Sequence, residues 1–210
     1  MCGRFATIDL EQQNPVTELI ENFLSSPESQ GLDLKLKGDV FPTDSVPVLI
    51  FHGKLIAKAM TWGFPGFPQK NKMMGKSKPK PLINTRCETA LELKTWHDAT
   101  LNRRCLIPAS GFYEWKRQGN KVLAKYLLYL KDVSTIFLGG IYNEISREEE
   151  KLPHFSIMTK AANGSMSDIH DRMPLIVRPS KFSVWFSNDF SALFAQDSIV
   201  LSRRNPGITG

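Results

Sequence analysis

The side chain with the most distinctive chemistry stands almost at the start of the chain, which reads MCGRF. Initiator methionine is usually removed when a small residue follows it, so we expect Cys2 to become the first residue. Its α-amine, with a reference pKa of roughly 7.7–8.0, attacks aldehydes to give a Schiff base. The thiol on the adjacent carbon can trap that imine as a five-membered thiazolidine. The alternative is an incidental cysteine behind a retained Met1.

A second candidate is the carboxyl group in ASGFYEWKR, where Glu114 stands among Phe112, Tyr113 and Trp115. Aromatic neighbours would partly desolvate the carboxyl group and raise its pKa towards that of a general acid. The alternative is a surface glutamate on a strand whose neighbours point the other way.

The stretch SDIHDRMP combines a proton shuttle with a phosphate ligand, since His170 and Arg172 are two residues apart. A loop histidine bonded to the backbone is the alternative. In LINTRCETA, Asn84 and Thr85 precede a predicted helix, and capping would explain them. An anion could also sit at that helix N-terminus.

Metal and cofactor signals are missing from the sequence. No Cys-x-x-Cys pair or His–Cys group has zinc-ligand spacing, and no phosphate-binding glycine loop or dinucleotide fingerprint occurs. We therefore predict no metal and no cofactor. Three cysteines without close pairs indicate a reducing, cytoplasmic or nuclear location, of which we predict the cytoplasmic one, with Cys87 and Cys105 as ordinary buried thiols. No signal peptide or membrane-length apolar run is found, so no membrane contact is predicted.

The net charge of +6 is unevenly distributed. Between Asp44 and Glu88 the chain holds seven lysines and Arg86 but no acidic residue, and the densest part is the lysine-rich insertion at 69–81. Such a segment is either a solvated loop or an electrostatic footprint for phosphates, with salt-dependent binding. The charge pattern alone does not decide between a solvated loop and a phosphate-binding segment.

The secondary-structure signals favour one α+β domain over residues 1–210, with a mostly antiparallel, barrel-like β-sheet flanked by short helices. Helices are predicted at NPVTELIENFLSS, with Asn14 as N-cap, and at NTRCETALELKTWHDAT. A hairpin is expected to turn at His52-Gly53. Further strands are predicted in RRCLIPA, VLAKYLLYL, STIFLGGIYNEI and HFSIMTK, one or two short helices near the end, and a mobile loop at 63–81.

Six motifs, MCGRF, WGF, NTRCET, RRCLIPASGFYEW, MTKAAN and IHDRMP, occur in an order and spacing that resemble the SRAP family of abasic-site-processing proteins. The resemblance covers nearly the whole chain. It implies that Cys2 condenses with the ring-opened sugar aldehyde of an abasic site in single-stranded DNA. The product would be a stable thiazolidine crosslink that shields the lesion, with lyase and crosslink-reversal activity also expected.

The same resemblance implies roles for the other motif residues. Asn84 would hold the amine and the sugar, Glu114 would act as acid and base, and His170 would assist Schiff-base chemistry and reversal. The implied DNA contacts are Arg4, Pro42, Trp62, Arg86 and Arg172.

Two other functions remain open from the residues. An N-terminal cysteine also suits an N-terminal-nucleophile peptidase, and the lysines alone would suit a non-catalytic binder of single-stranded DNA. The predicted partner is single-stranded DNA with abasic sites, bound by a monomer.

Overall fold

The computed structural model describes residues 2–66, 80–144, 152–196 and 198–205. The strands are β1 (Phe5–Ala6), β2 (Asp39–Val40), β3 (Ser45–His52), β4 (Lys54–Trp62), β5 (Asn84–Arg86), β6 (Arg104–Ala109), β7 (Gly111–Gln118), β8 (Lys121–Tyr129), β9 (Ile136–Tyr142), β10 (His154–Ala161), β11 (Arg172–Pro174) and β12 (Ser202–Arg204). The helices are α1 (Pro15–Leu24), α2 (Lys94–Asn102) and α3 (Phe182–Trp185), with 3₁₀ turns at Pro27–Ser29, Pro179–Lys181 and Phe190–Leu193.

Two sheets form the body of the protein. A five-stranded sheet has the order β12-β8-β7-β1-β2, and a seven-stranded sheet runs β11-β10-β4-β3-β6-β9, with β5 beside β10. Because β10 also pairs with β9, the second sheet returns on itself as a ring rather than a closed barrel. Among the described strands, only the pairings of β10 with β4 and β5 are parallel. The predicted α+β, mostly antiparallel architecture is confirmed.

The main core lies between the two sheets. The five-stranded sheet contributes Phe5, Phe112 and Leu128, and the seven-stranded sheet contributes residues such as Met60 and Ile157. A second apolar cluster lies on the other side of the seven-stranded sheet, under α2, α3 and the last 3₁₀ turn. The N-terminal segment therefore enters the molecule at the main core, which is where Cys2 lies.

Local signals account for the first helix and the long hairpin. Asn14 accepts hydrogen bonds from the amides of Val16 and Thr17, and a reciprocal Thr17 contact completes a capping box. Gly53 has φ 69°, which suits the tight turn between β3 and β4 at the predicted position. Both predictions are confirmed. The lysine-rich part of the predicted 63–81 loop, residues 67–79, lies outside the described residues.

The predicted helix at NTRCETALELKTWHDAT is wrong in its first half. Asn84–Arg86 form β5, which pairs in parallel with β10 through Ile157, Met158 and Thr159, and the helix begins only at Lys94. Asn84 is therefore not a helix cap, and no helix N-terminus is available there for an anion. The long-range pairing overrides the local capping signal.

Candidate active site

Cys2 is buried just before β1, with 1% of its surface exposed. The side-chain amide Nδ2 of Asn84 donates a hydrogen bond to the Cys2 carbonyl at 2.9 Å. The thiol Sγ lies 3.8 Å from the Arg4 carbonyl, a weak contact. Asn84 thus ties the start of the chain to β5, where a chain end would otherwise fray.

Backbone pairing brings the glutamate of β7 towards this cysteine. Phe5 of β1 pairs with Phe112, and the Tyr113 amide donates to the Arg4 carbonyl at 2.8 Å. Alternation along β7 then places Phe112 and Glu114 on the core face and Tyr113 on the other. Glu114 is only 4% exposed.

Burial raises the pKa of Glu114, while the charge of His170 acts in the opposite direction. The predicted direction is confirmed, but the cause differs from the expected one. Trp115 lies on the opposite face, near Arg4, so the sequence neighbours do not form the environment of the carboxyl group. The desolvation comes from the core between the sheets, where a protonated carboxyl group is favoured.

The thiol of Cys2 is kept protonated. Burial raises its pKa to about 12, with a smaller contribution from Glu114 when that carboxyl group is ionised. Reactive cysteines in thiol enzymes show the reverse, a pKa lowered by cations or a helix N-terminus. The geometry therefore favours a mechanism in which the thiol is not the first nucleophile.

His170 lies in the segment between β10 and β11. Its Nδ1 lies 2.9 Å from the Arg172 amide, which can donate to it, and 2.8 Å from Asp171 Oδ1. Both contacts orient the ring through Nδ1.

The His170 segment is tied to the five-stranded sheet by Asp168. Its carboxylate accepts from Arg203 of β12 at 2.7 and 2.8 Å and from Lys116 of β7 at 3.3 Å. The Ala162 amide also donates to the Asp171 carbonyl at 2.9 Å. These contacts hold the segment beside β7, the strand that carries Glu114.

Arg4 lies in a cage of aromatic rings. Its guanidinium carbon is 4.4 Å from the ring centre of Phe41, 5.1 Å from that of Trp115 and 5.8 Å from that of Tyr113. Asp39 lies 3.5 Å away. Sequence reasoning missed Phe41 and Trp115 as site residues. No local sequence signal marks them, because the cage forms only when β1 pairs with β2 and β7.

Pro42 sits in a turn beside this cage. The Asp44 amide donates to the Phe41 carbonyl at 3.0 Å, and the Asp44 carboxylate accepts from the Phe41 amide at 2.9 Å. Thr43 has φ 81°, a region costly for a β-branched residue. In this strained turn Pro42 is half-buried and Phe41 is exposed. The DNA contact of Pro42 stays a prediction.

Trp62 corrects the predicted set of DNA contacts. Its side chain is fully buried, stacks on Phe155 with ring centres 6.3 Å apart, and donates from Nε1 to the Ile83 carbonyl at 3.0 Å. The prediction that Trp62 touches a nucleotide is wrong, because its ring has no surface to offer. Instead it fixes the backbone immediately before Asn84.

We expect Trp62→Phe to destabilise the protein by about 1–3 kcal/mol, through lost packing and a carbonyl that loses a donor. Denaturant unfolding measures this loss. DNA affinity, measured where the variant is folded, should change by less than about twofold. A large loss of affinity without a loss of stability would contradict the structural role.

The two arginines near β5 differ in availability. Arg86 is exposed, but Arg172 is 12% exposed and forms a bidentate ion pair with Glu88 at 2.6 and 2.8 Å. It also donates to the Thr159 carbonyl at 2.6 Å. The hydrogen bond from Arg172 holds the pKa of Glu88 below its usual range. A phosphate would therefore have to compete with Glu88 for Arg172.

Glu88→Gln should strengthen binding to single-stranded DNA, because it removes the competing carboxylate. The salt dependence should steepen by about 0.7, the value for one added phosphate contact on a single strand. Anisotropy titrations at several salt concentrations measure both effects. Glu92→Gln, an exposed site in the same segment, is the control for net charge. Equal behaviour of the two variants would show that Glu88 does not compete.

Among the described residues, no group of three or more His, Cys, Asp or Glu side chains could hold a metal ion. All three cysteines are free thiols and buried. Within the described part of the chain, no helix is both long and apolar enough to span a bilayer.

The family model for "SOS response associated peptidase (SRAP)" matches residues 1–202, and the chain belongs to this family. It is 30% identical over 195 residues to the abasic site processing protein YoqW of Bacillus subtilis (strain 168), covering 89% of this chain and 80% of that protein. It is 29% identical over 202 residues to the abasic site processing protein YedK of Escherichia coli (strain K12), covering 94% and 84%.

Solved structures share the fold. A protein from Bordetella bronchiseptica superposes with a TM-score of 0.71 at 19% identity, covering 99% of this chain and 100% of that one. A protein from Bacteroides thetaiotaomicron gives a TM-score of 0.70 at 19% identity, covering 97% and 91%.

Proposed function

We propose that this protein captures abasic sites in single-stranded DNA by forming a covalent thiazolidine with Cys2 after removal of Met1. The observation that carries the proposal is the pairing of a buried Cys2, held by Asn84, with a buried Glu114 whose pKa is raised. The names of the relatives, abasic site processing proteins, supply the substrate class.

The first step is attack of the Cys2 amine on the aldehyde carbon of the ring-opened sugar. The carbon–nitrogen bond forms, and a proton moves from the amine nitrogen to the aldehyde oxygen to give a carbinolamine. Glu114 in its protonated form, which burial favours, then gives its proton to the departing hydroxyl, and water leaves as the nitrogen lone pair forms the carbon–nitrogen double bond. The product at this stage is a protonated imine, with Glu114 as the carboxylate.

The second step closes the ring. The sulfur of Cys2 bonds to the carbon of the protonated imine, the carbon–nitrogen π pair moves to nitrogen, and the thiol proton passes to the Glu114 carboxylate, which restores its acid form. The high pKa of the buried thiol fits this order, since the thiol stays protonated until an electrophile is present. One water is lost overall, and no oxidant or metal is needed.

His170 and the arginines complete the proposed assignment. Through its Nε2, His170 would move protons at the sugar during ring opening, Schiff-base chemistry and crosslink reversal. Arg4, Arg86 and Pro42 would contact the DNA backbone, with Arg172 joining them when a phosphate displaces Glu88. Recognition then rests on the backbone and on aldehyde reactivity, because the lesion has no base to read.

A denaturing gel tests the proposal directly. The protein is incubated with a single-stranded oligonucleotide containing one abasic site, with the same strand undamaged, and with a strand carrying a tetrahydrofuran analogue that has no aldehyde. We expect a heat-stable adduct only with the aldehyde. No adduct with any strand, together with cleavage of a reporter peptide, would replace the proposal with a peptidase function.

A further inference from the structure

The face of the five-stranded sheet that carries Arg4 holds a second cluster of positive charge. Cross-strand pairing places Trp115 opposite Lys125, and Tyr113 opposite Leu127. Arg204 of β12 also pairs with Leu127, so its side chain shares this face. We call the surface formed by Arg4, Tyr113, Trp115, Lys125 and Arg204 the Arg4 face.

Lys125 is the unusual member of the Arg4 face. Only 8% of its surface is exposed, but Nζ is not among the buried unpaired side-chain atoms of the described residues, so the ammonium group itself reaches the surface. Among the described residues its Nζ has neither a hydrogen bond nor an ion pair, and its one recorded contact is the Tyr113 ring, with Nζ 4.4 Å from the ring centre. A cation–π contact satisfies part of the charge but none of its three N–H donors.

Further cations surround the same tyrosine. Arg4 lies 5.8 Å from the Tyr113 ring centre, and the charges of both Arg4 and Arg204 act on its hydroxyl group. In the part of the chain that the structure describes, Asp39 is the one carboxylate that acts on this tyrosine. The cluster holds three cations, Arg4, Lys125 and Arg204, and one anion, Asp39. Because the cations repel one another, a further anion would be attracted to the cluster.

Arg203 provides an internal comparison. It pairs with Leu128, lies over the Tyr126 ring and binds the carboxylate of Asp168, so its charge is already compensated. No comparable carboxylate is recorded at Lys125 or Arg204 in the described ranges. The uncompensated charge therefore belongs to the Arg4 face and not to β12 in general.

We propose that the Arg4 face binds phosphodiesters of the DNA strand beyond the lesion, with Lys125 and Arg204 each taking a phosphate. This rests on the proposed function, which brings the strand to Arg4. From β1 to β12 the cations span three strand spacings, or about 14 Å. Phosphates of one strand repeat at roughly 3.4 Å along the axis of a duplex and lie farther apart in an extended single strand, so the face spans at least about two nucleotides next to the lesion. Trp115 supplies a partly exposed ring on which a base can stack.

The test compares two double variants that each remove two positive charges. Lys125→Met with Arg204→Gln alters the Arg4 face, whereas Lys54→Met with Arg178→Gln alters exposed positions away from it. Fluorescence anisotropy is measured with single strands carrying a tetrahydrofuran analogue, which cannot react covalently. One strand is short, with two nucleotides on each side of the lesion. Two longer strands extend it by eight nucleotides in the 5′ or the 3′ direction.

We expect the Arg4-face variant to bind one of the long strands at least about tenfold more weakly than the control variant at 0.1 M salt, with a salt slope smaller by about 1.4. Affinity for the short strand should be nearly unchanged. Equal affinities and slopes for the two variants on both long strands would overturn the proposal. Lys125→Arg keeps the charge and should keep long-strand binding. If Lys125→Met does not fold, Arg204→Gln alone should show about half the change in slope.

Failure of this proposal is distinguishable from failure of the proposed function. At saturating abasic DNA the Arg4-face variant should still form the heat-stable adduct, because Cys2, Asn84 and Glu114 are unchanged. A wild-type protein that forms no adduct would contradict the proposed function, whatever the anisotropy shows.

Discussion

Replacing Cys2 with Ser or Ala is expected to abolish the heat-stable adduct with abasic DNA while leaving non-covalent binding in place. Both variants keep a small second residue, so Met1 should still be removed and the α-amine should remain. Neither side chain can close a thiazolidine. The reaction should therefore stop at the imine, which borohydride reduces to a stable amine.

An imine that cannot cyclise also exposes the DNA to β-elimination. We expect Cys2→Ser to nick the strand at the abasic site faster than the wild type does, which a denaturing gel measures. Cys87→Ala, at another buried thiol, is the control and should crosslink normally. A Cys2→Ser protein that gives neither a trapped adduct nor a nick would show that its amine is not the attacking group.

Glu114→Gln is expected to slow adduct formation by about 10²- to 10⁴-fold, the usual contribution of a positioned general acid–base. The wild-type rate should rise with pH as the amine loses its proton. It should then fall as Glu114, with its raised pKa, ionises. The variant should lose the falling limb. A variant with the wild-type rate and pH profile would remove Glu114 from the mechanism.

The same substitution should stabilise the fold at neutral pH. The pKa of Glu114 is higher in the folded state than in the unfolded state, because burial disfavours its charged form. The folded state therefore holds its proton more tightly, and the stability associated with this group is lost as pH rises through the folded pKa. Glutamine carries no charge and avoids that loss. Tm should be higher for Glu114→Gln at pH 8, and the difference should shrink below pH 4.

These opposite effects on rate and stability distinguish a catalytic carboxyl group from a structural one. A structural glutamate would lower Tm when replaced. Each kcal/mol corresponds to roughly 2–4 °C for a domain of this size, so calorimetry can resolve the sign. An unchanged or lower Tm at pH 8 would mean that hydrogen bonds to the carboxylate outweigh its desolvation.

Local sequence signals correctly predict the secondary-structure elements that short-range interactions determine. Asn14 and Pro15 start α1, and His52-Gly53 turns the long hairpin, because capping and a positive φ act over a few residues. The strand containing Asn84 escapes such reasoning. Its hydrogen-bond partners in β10 are some 70 residues away, and the sequence around it looks like a helix start.

The site residues were predictable where the chemistry requires one residue type. They were less predictable where packing determines whether a side chain is exposed and which partner it has. The role of Cys2 depends on an amine and a thiol on adjacent carbons, which the sequence alone reveals. Trp62 looks like a surface ring next to a glycine, yet the core between the sheets encloses it. Arg172 looks like a free phosphate ligand, but Glu88 reaches it only because β5 and β11 both pair with β10.

Intact-mass spectrometry tests the central claim most directly. The protein is weighed alone and after incubation with a single-stranded oligonucleotide containing one abasic site. The account predicts a starting mass without Met1, and a heat-stable adduct equal to protein plus DNA minus one water. A protein that retains Met1, or that binds the DNA and yields no adduct, would contradict it.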